Sequence, residues 1–482
     1  MRVLAVNRAL CVSLGWIVVF CLTGSGAASG QKPVFRPNII LMMADDLGWG
    51  DVKCFNPETP IKTPNLDAMA CAGMKFNRFY SASAACSPTR GSCLTGRHPF
   101  RYGVYNANVG YMKAEETTLA ELLKAKGYVT GHFGKWHLGT LSRTVKDGNR
   151  GGSELAELFS PPQKNGFDVC FSTESKVPTW DPMLRPAVDA NANGWDCIQD
   201  RSAAVEYGTR YWNEKGEPVA DRLEGDDSRI MMDRIIPFIR KATEDETPFF
   251  AVIWFHAPHL PVVAGPEYAS LYSAYGPLEK NYYGCITAMD EQVGRLRREL
   301  GALKIAGNTM IWFCSDNGPM GSAESNPGSA GRFRGRKWSL YEGGVRVPGI
   351  LEWPAVVNAG SETDFPAVTS DYLPTVMDVL GMEYDDDRPI DGVSLLQVMK
   401  GQEAIRPVPI GFQFREQVSL VGQRYKLYRK NGGGDWELYD LLQDPYEQSN
   451  IADQHPETVL QMSLRLNEWM KSCKYSDMGK DY

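Results

Sequence analysis

Four short polar clusters follow apolar runs, and their residue types narrow the chemistry available to this chain. Asp45-Asp46 follows 38–44, Lys135-Trp136-His137 follows the run that starts at 128, His256-Ala257-Pro258-His259 follows 249–255, and Ser315-Asp316-Asn317 follows 309–314. A single aspartate after a strand is commonly a turn or cap residue. Two adjacent aspartates at a buried edge repel each other, and a divalent cation relieves the conflict. Asp45, Asp46, Asp316 and the amide oxygen of Asn317 make an all-oxygen set suited to a hard ion, Ca2+ or Mg2+. No cysteine or histidine belongs to that set, which disfavours zinc. Of His256 and His259, one is expected to be a satisfied structural histidine.

A fifth segment, Cys86-Ser87-Pro88-Thr89-Arg90-Gly91-Ser92-Cys93-Leu94-Thr95-Gly96-Arg97, adds a candidate nucleophile. Ser87 before Pro88 reads as an N-cap followed by the first helical position, which puts Cys86 at a helix N-terminus. Amides exposed there favour an oxyanion. The residues alone leave Cys86 open as a buried inert thiol or as a thiolate with its pKa lowered by Arg90. Neither reading accounts for the carboxylates.

The elements that position these residues are legible as patterns. Nearly continuous apolar runs alternate with helical patterns at 118–126 and 230–242. Together they predict an α/β fold, a large sheet rich in parallel strands and flanked by helices on both faces. Ligands of such sheets lie beyond the carboxyl ends of the strands, so the clusters are expected to converge on one edge. Near the C-terminus, 418–429 and 436–441, joined by Asn431-Gly432-Gly433-Gly434-Asp435, read as an antiparallel pair, and 457–471 as a last helix. The expected organisation is a catalytic domain at 33–382 and a small C-terminal α+β domain at 385–482, with Asp385-Asp386-Asp387 a solvated loop.

Composition excludes several function classes. With 482 residues, 43% hydrophobic and a net charge of −7, the chain is ordinary for a globular protein and too acidic for a general nucleic-acid binder. Residues 1–30 carry Arg2 and Arg8, an apolar stretch at 9–22 and small residues at 24–30, the order of a secretory signal peptide. No other long apolar run follows, so no stable membrane insertion is expected. The absence of any Asn-x-Ser/Thr sequon favours a bacterial exported protein, periplasmic or extracellular. Of eleven cysteines, two leave with the leader; no Cys-x-x-Cys occurs, and pairing of Cys170 with Cys197 stays open.

Cys86-Ser87-Pro88-Thr89-Arg90 with downstream Leu94-Thr95-Gly96-Arg97 resembles the C-x-P-x-R and L-T-G-R signature of the type I sulfatases. Pro37-Asn38-Ile39-Ile40, Asp45-Asp46-Leu47-Gly48, Gly134-Lys135-Trp136-His137-Leu138-Gly139, Ser315-Asp316-Asn317-Gly318, Lys337, and Tyr341-Glu342-Gly343-Gly344-Val345-Arg346-Val347-Pro348 match in order, as do Glu437-Leu438-Tyr439-Asp440 and Asp444-Pro445. Thr89 stands where the signature usually has serine. The resemblance implies an alkaline-phosphatase-like α/β core and hydrolysis of a sulfate ester. It also implies oxidation of Cys86 to Cα-formylglycine by a formylglycine-generating or anaerobic sulfatase-maturing enzyme. The aldehyde hydrates to a diol; one hydroxyl attacks sulfur, and the other loses its proton to expel sulfate. By the same resemblance Asp45, Asp46, Cys86, Asp316 and Asn317 hold the metal, Arg90 and Lys135 hold the formylglycine, and His137 takes the proton. His259 protonates the leaving group, and Lys135, His259 and Lys337 bind the sulfate.

Residues 139–227 resemble the family least. There Trp180 could stack on a sugar or simply pack its loop, and Arg185 could grip a second anion. Arg332, Arg334 and Arg336 read either as a polyanion site or as a solvated cluster. The leading expectation is an exported sulfatase acting on a sulfated carbohydrate. The alternatives are a phosphonate or phosphate ester hydrolase of the same superfamily, or a non-catalytic glycan-binding protein in which Cys86 is unconverted.

Overall fold

Alternation along buried strands builds two cores, one on each face of a single sheet. The computed structural model describes residues 36–482 except 149, 189–191, 385, 403 and 431–432. The leader at 1–30, the Asp385 boundary and Asn431-Gly432 therefore lie outside the described residues. In chain order the main-sheet strands are β1 (Asn38–Ala44), β2 (Met74–Phe76), β3 (Val129–Lys135), β4 (Val169–Thr173), β5 (Tyr211–Asn213), β6 (Pro218–Val219), β7 (Phe249–Trp254), β8 (Thr309–Ser315), β9 (Gly349–Glu352) and β10 (Ser361–Thr363). They are ordered β6-β5-β4-β3-β7-β1-β8-β9-β2-β10. The middle five, from β4 to β8, run parallel. Antiparallel pairings flank them on both sides, so the sheet is mixed.

Period-two geometry sends Ile39, Leu41 and Met43 of β1 to one core and Ile40, Met42 and Ala44 to the other. Helices Cys86–Thr95, Leu119–Ala125 and Tyr372–Val379 close the first core through Leu94, Leu123 and Val376. Helices Pro64–Ala72, Asp227–Glu244 and Pro277–Ala302 close the second through Leu66, Ile235 and Met289. The expected helix at 118–126 is Leu119–Ala125, where the Thr118 hydroxyl and the Glu121 carboxylate each accept the other's backbone N–H. The one expected at 230–242 starts earlier, because Asp226 caps it by accepting from the Arg229 N–H at 2.8 Å.

The C-terminal pair needs correction: it is a four-stranded antiparallel sheet. Its strands are β11 (Ile410–Phe414), β12 (Gln417–Val421), β13 (Tyr425–Arg429) and β14 (Glu437–Asp440). The apparently continuous run 418–429 is two strands, because the chain turns where the Gly422 N–H bonds the Tyr425 carbonyl at 2.9 Å. One face shares a core with Tyr80, Ala82, Ala84, Ala85, Leu340 and Val345; the other packs on the final helix, Pro456–Asp477, through Leu466. The small sheet thus braces the segment just before Cys86, and residues 36–482 form one compact unit. Cys170 and Cys197 are both free thiols; the Cys197 thiol donates to the Ala264 carbonyl instead. Among the described residues no helix is long and apolar enough to cross a membrane.

Candidate active site

The parallel register brings the polar clusters together. Ala44 of β1 is level with Ser315 of β8, so the residues that follow each strand meet. The Asp46 N–H donates to Asp316 Oδ1 at 3.0 Å, and the Asn317 amide nitrogen donates to Asp46 Oδ1 at 2.7 Å. Asp46 adopts a left-handed φ of 65°, which lets two consecutive carboxylates face the same centre. Arg90 reaches up from its helix to Asp316 Oδ2 at 2.6 Å and to Asp45 Oδ1 at 3.5 Å, and donates to the Lys135 carbonyl at 3.1 Å. The Lys135 ammonium sits 2.7 Å from Asp45, and that of Lys337 lies 2.6 and 2.8 Å from the two oxygens of Asp46. Asp45, Cys86 and Asp316 each offer one atom within 4.8 Å of the others, as do Asp45, Asp46 and His259. His259 therefore borders the carboxylate set.

Cys86 is the first residue of its helix, Cys86–Thr95, and Ala85 occupies the cap position. This corrects the expected Ser87 cap: the buried Ser87 hydroxyl has no hydrogen-bond partner. The Thr89 hydroxyl does the local work by accepting from the Ser83 N–H and donating to backbone carbonyls of Ser83 and Ala85. Threonine in place of serine keeps that hydroxyl. Burial pushes the Cys86 thiol up, against the pull of Lys135 and Lys337. The lowered thiolate considered from sequence is therefore not what the site makes of this cysteine.

The carboxylates differ sharply. Burial opposes ionisation of Asp45, yet Lys135, His259 and Arg90 outweigh it and hold its carboxyl well below the usual range. Burial likewise opposes Asp46, and Lys337 and His259 prevail. Asp316 is pushed up to about 7 by burial and by the charge of Asp45. A divalent cation suits this trio: among the described residues Asp45 Oδ1 and Asn317 Oδ1 are buried and accept no hydrogen bond, and three carboxylates crowd one buried centre.

Two histidines face the centre. His137 Nε2 is 2.8 Å from Asn108 Oδ1, and its buried Nδ1 has no hydrogen-bond partner among the described residues. An amide oxygen only accepts, so Nε2 carries the proton and Nδ1 keeps its lone pair. Burial, then Lys135 and Arg150, hold His137 well below the usual imidazole range. His259 Nδ1 is 2.7 Å from the Leu260 carbonyl, and Nε2 lies 3.7 Å from Asp46 Oδ2. Burial lowers it to about 4, against the pull of Asp45 and Asp46. His256 is the structural histidine, fully buried between Asp227 at 2.8 Å and Thr173 at 2.7 Å.

Other expected contacts fall elsewhere. Trp180 is half-buried, its ring against Gly225 and Gly265. Arg185 is exposed on a small ribbon, Leu184–Pro186 with Ala204–Glu206, and neither side chain touches the carboxylates in any described contact. In the arginine cluster, Arg332 and Arg334 are exposed. Arg332 lies over Tyr446, Arg334 over Tyr341 at 3.8 Å, and Arg336 donates to the Gly328 carbonyl at 2.6 Å. Two residues went unread in the sequence. Asn108 lies in a loop without a motif. Lys176, solvent-exposed three residues beyond β4, has its ammonium lowered by desolvation and by repulsion from Lys135 and Lys337. A lysine just past a parallel strand was the available signal.

This fold and site define a hydrolase of charged esters. The family model described as Sulfatase matches residues 37–382, and one described as N-sulphoglucosamine sulphohydrolase, C-terminal, matches 328–473. N-acetylgalactosamine-6-sulfatase of Canis lupus familiaris is 32% identical over 447 residues, covering 88% of this chain and 77% of the relative. The crystal structure of Ps i-CgsB in complex with k-i-k-neocarrahexaose superposes with a TM-score of 0.76 at 25% identity, covering 91% of this chain and 93% of that one. The phosphonate monoester hydrolase of Agrobacterium radiobacter shares the fold, with a TM-score of 0.64 at 21% identity over 91% of this chain and 96% of that one. The chain belongs to the sulfatase family. It is a sulfuric ester hydrolase with an alkaline-phosphatase-like α/β fold.

Proposed function

We propose that this protein hydrolyses a sulfate ester on a carbohydrate, with Cα-formylglycine made from Cys86 as the nucleophile. The observation that carries the reading is the meeting of Lys135, Lys337, His137 and His259 around Cys86 and three carboxylates. Relatives named for sulfated sugars support the carbohydrate. Asp45, Asp46, Asp316 and Asn317 would hold Ca2+, or Mg2+, together with the converted Cys86. That ion, when bound, supplies Lewis-acid polarisation of the nucleophile and of a sulfate oxygen. Lys135 and Lys337 offset charge on the sulfate oxygens. His137, with Nε2–H tied to Asn108, presents Nδ1 as the base of the release step. His259 donates to the leaving oxygen. Burial lowers its pKa to about 4, and the negative charge of a sulfate monoester beside it would raise that value toward what an acid needs.

The reading includes a maturing enzyme that converts Cys86, export directed by residues 1–30, and a catalytic part at 33–382 followed by a C-terminal part at 385–482. The test is the mass of the Cys86 peptide from protein made in its native host, beside rates on aryl sulfate, aryl phosphate and sulfated sugars. A mass lower by the difference between CH2SH and CHO, with fastest turnover of sulfate esters, is expected. An unmodified thiol in active protein sinks the nucleophile, and faster phosphoryl turnover sinks the substrate class.

A further inference from the structure

Trp338 sits where nothing in the packing asks for a tryptophan. It follows Lys337 directly, is 37% exposed, and holds a left-handed φ of 73°. A bulky aromatic residue rarely adopts that conformation, and such outliers persist where surrounding structure over-determines them. Here the determinants are explicit. The Trp338 N–H donates to the carbonyl of Ala84, two residues before Cys86, at 2.9 Å, and its own carbonyl accepts from Gln417 of β12 at 2.8 Å. The backbone is pinned between the nucleophile segment and the small sheet, and the ring is left at the surface.

Two cations lie near that ring. The Lys337 ammonium, already on Asp46, lies 5.8 Å from the ring centroid. The Arg415 guanidinium, from the turn between β11 and β12, also lies 5.8 Å from it. Arg415 is exposed, has a φ of 52°, and has no acidic partner among the described residues. Single exposed aromatics are common and need no explanation. This one follows the proposed sulfate-binding lysine in sequence and lies near a guanidinium that has ring contacts, to Trp338 and Phe414, but no acidic partner among the described residues.

We infer that Trp338 and Arg415 form a substrate platform at the mouth of the site. An indole face takes the apolar face of a sugar ring, and a guanidinium takes a carboxylate or sulfate. The ligand is an oligosaccharide whose sugar next to the sulfated one stacks on Trp338 and carries an anionic group to Arg415. This rests on the carbohydrate sulfatase reading above and adds the neighbouring sugar and its charge.

The test compares mature wild-type enzyme with Trp338→Ala, Trp338→Phe and Arg415→Gln. Substrates are an aryl sulfate and sulfated oligosaccharides whose neighbouring sugar is neutral, carboxylated or sulfated. For Trp338→Ala, KM on the oligosaccharides is expected to rise about tenfold, equivalent to ~1.4 kcal/mol, with a smaller change in kcat. The ratio of oligosaccharide to aryl sulfate kcat/KM should fall accordingly, with Trp338→Phe in between. Arg415→Gln should erase a preference for a charged neighbour, and whether the carboxylated or sulfated arm loses more identifies the anion. Equal KM values for wild type and both Trp338 variants on every oligosaccharide would overturn the platform. Wild-type turnover of aryl sulfate with none of any oligosaccharide would instead overturn the carbohydrate reading, and the platform with it.

Discussion

Asp316 illustrates how one residue does two jobs. As a ligand it should be dispensable to the fold, but its carboxylate is also the closest anion to the fully buried Arg90. Asp316→Ala is therefore expected to abolish turnover and also to lower stability by about 3 kcal/mol, the lower end of the cost of breaking a buried ion pair, because Asp45 still lies 3.5 Å from Arg90. Asp316→Asn keeps the volume and one acceptor, so it should lose bound metal and activity with a smaller drop in melting temperature; full metal content by elemental analysis would refute the ligand role. Asn108 makes the complementary case, since its contact with the proposed machinery is the one to His137. Asn108→Leu is expected to lower kcat by about 10–100-fold with little change in KM, the range seen when a partner that orients an imidazole is removed. An unchanged kcat and pH profile would remove it from the machinery. Charged pairs ending apolar runs made Asp45, Lys135 and Asp316 legible from sequence, because strand ends are marked by a composition change. Asn108 and Trp338 were not legible, because their places come from loop geometry rather than from local pattern.

Among the elements, helix Asp227–Glu244 carries a pH signature. Its cap, Asp226, is buried, and burial raises its carboxyl to about 8, with Asp227 adding to the effect. In the unfolded chain the same group titrates near 3.9. Between those values the folded state binds a proton that the unfolded chain has lost, so stability falls as pH rises from about 4 to 8. Asp226→Asn keeps an acceptor for the Arg229 N–H and should flatten that decline, so its advantage in melting temperature over wild type grows toward pH 8. An advantage independent of pH would show that Asp226 ionises normally. The helix itself was readable from its apolar spacing, whereas its extra first turn depended on the cap. The small sheet was harder to read, since the turn at Gly422 interrupts a run whose residue types suit a strand throughout.

On the scale of the whole molecule, the small sheet holds the catalytic body through charge as well as packing. Lys426 of β13 is fully buried and donates to Glu342 at 2.9 Å, with Glu447 also at 2.9 Å. Glu342 lies five residues beyond Lys337, so this ammonium anchors the segment that carries Lys337. Lys426→Met is expected to lower unfolding free energy by about 3–5 kcal/mol in urea titration, and Lys426→Met combined with Glu447→Gln should recover part of it. No loss in the single variant would mean that the two glutamates are protonated in the native state. A last consequence comes from the shared level of Ala44 and Ser315. The carboxylates of the site are spaced by hydrogen-bond register, so the sheet serves as a ruler for them. A residue gained or lost inside β1 or β8 would turn every following side chain to the opposite face and separate Asp45 from Asp316. The same change in a connecting loop would leave their spacing intact. Chain length should therefore vary freely between homologous strands and hardly at all within these two.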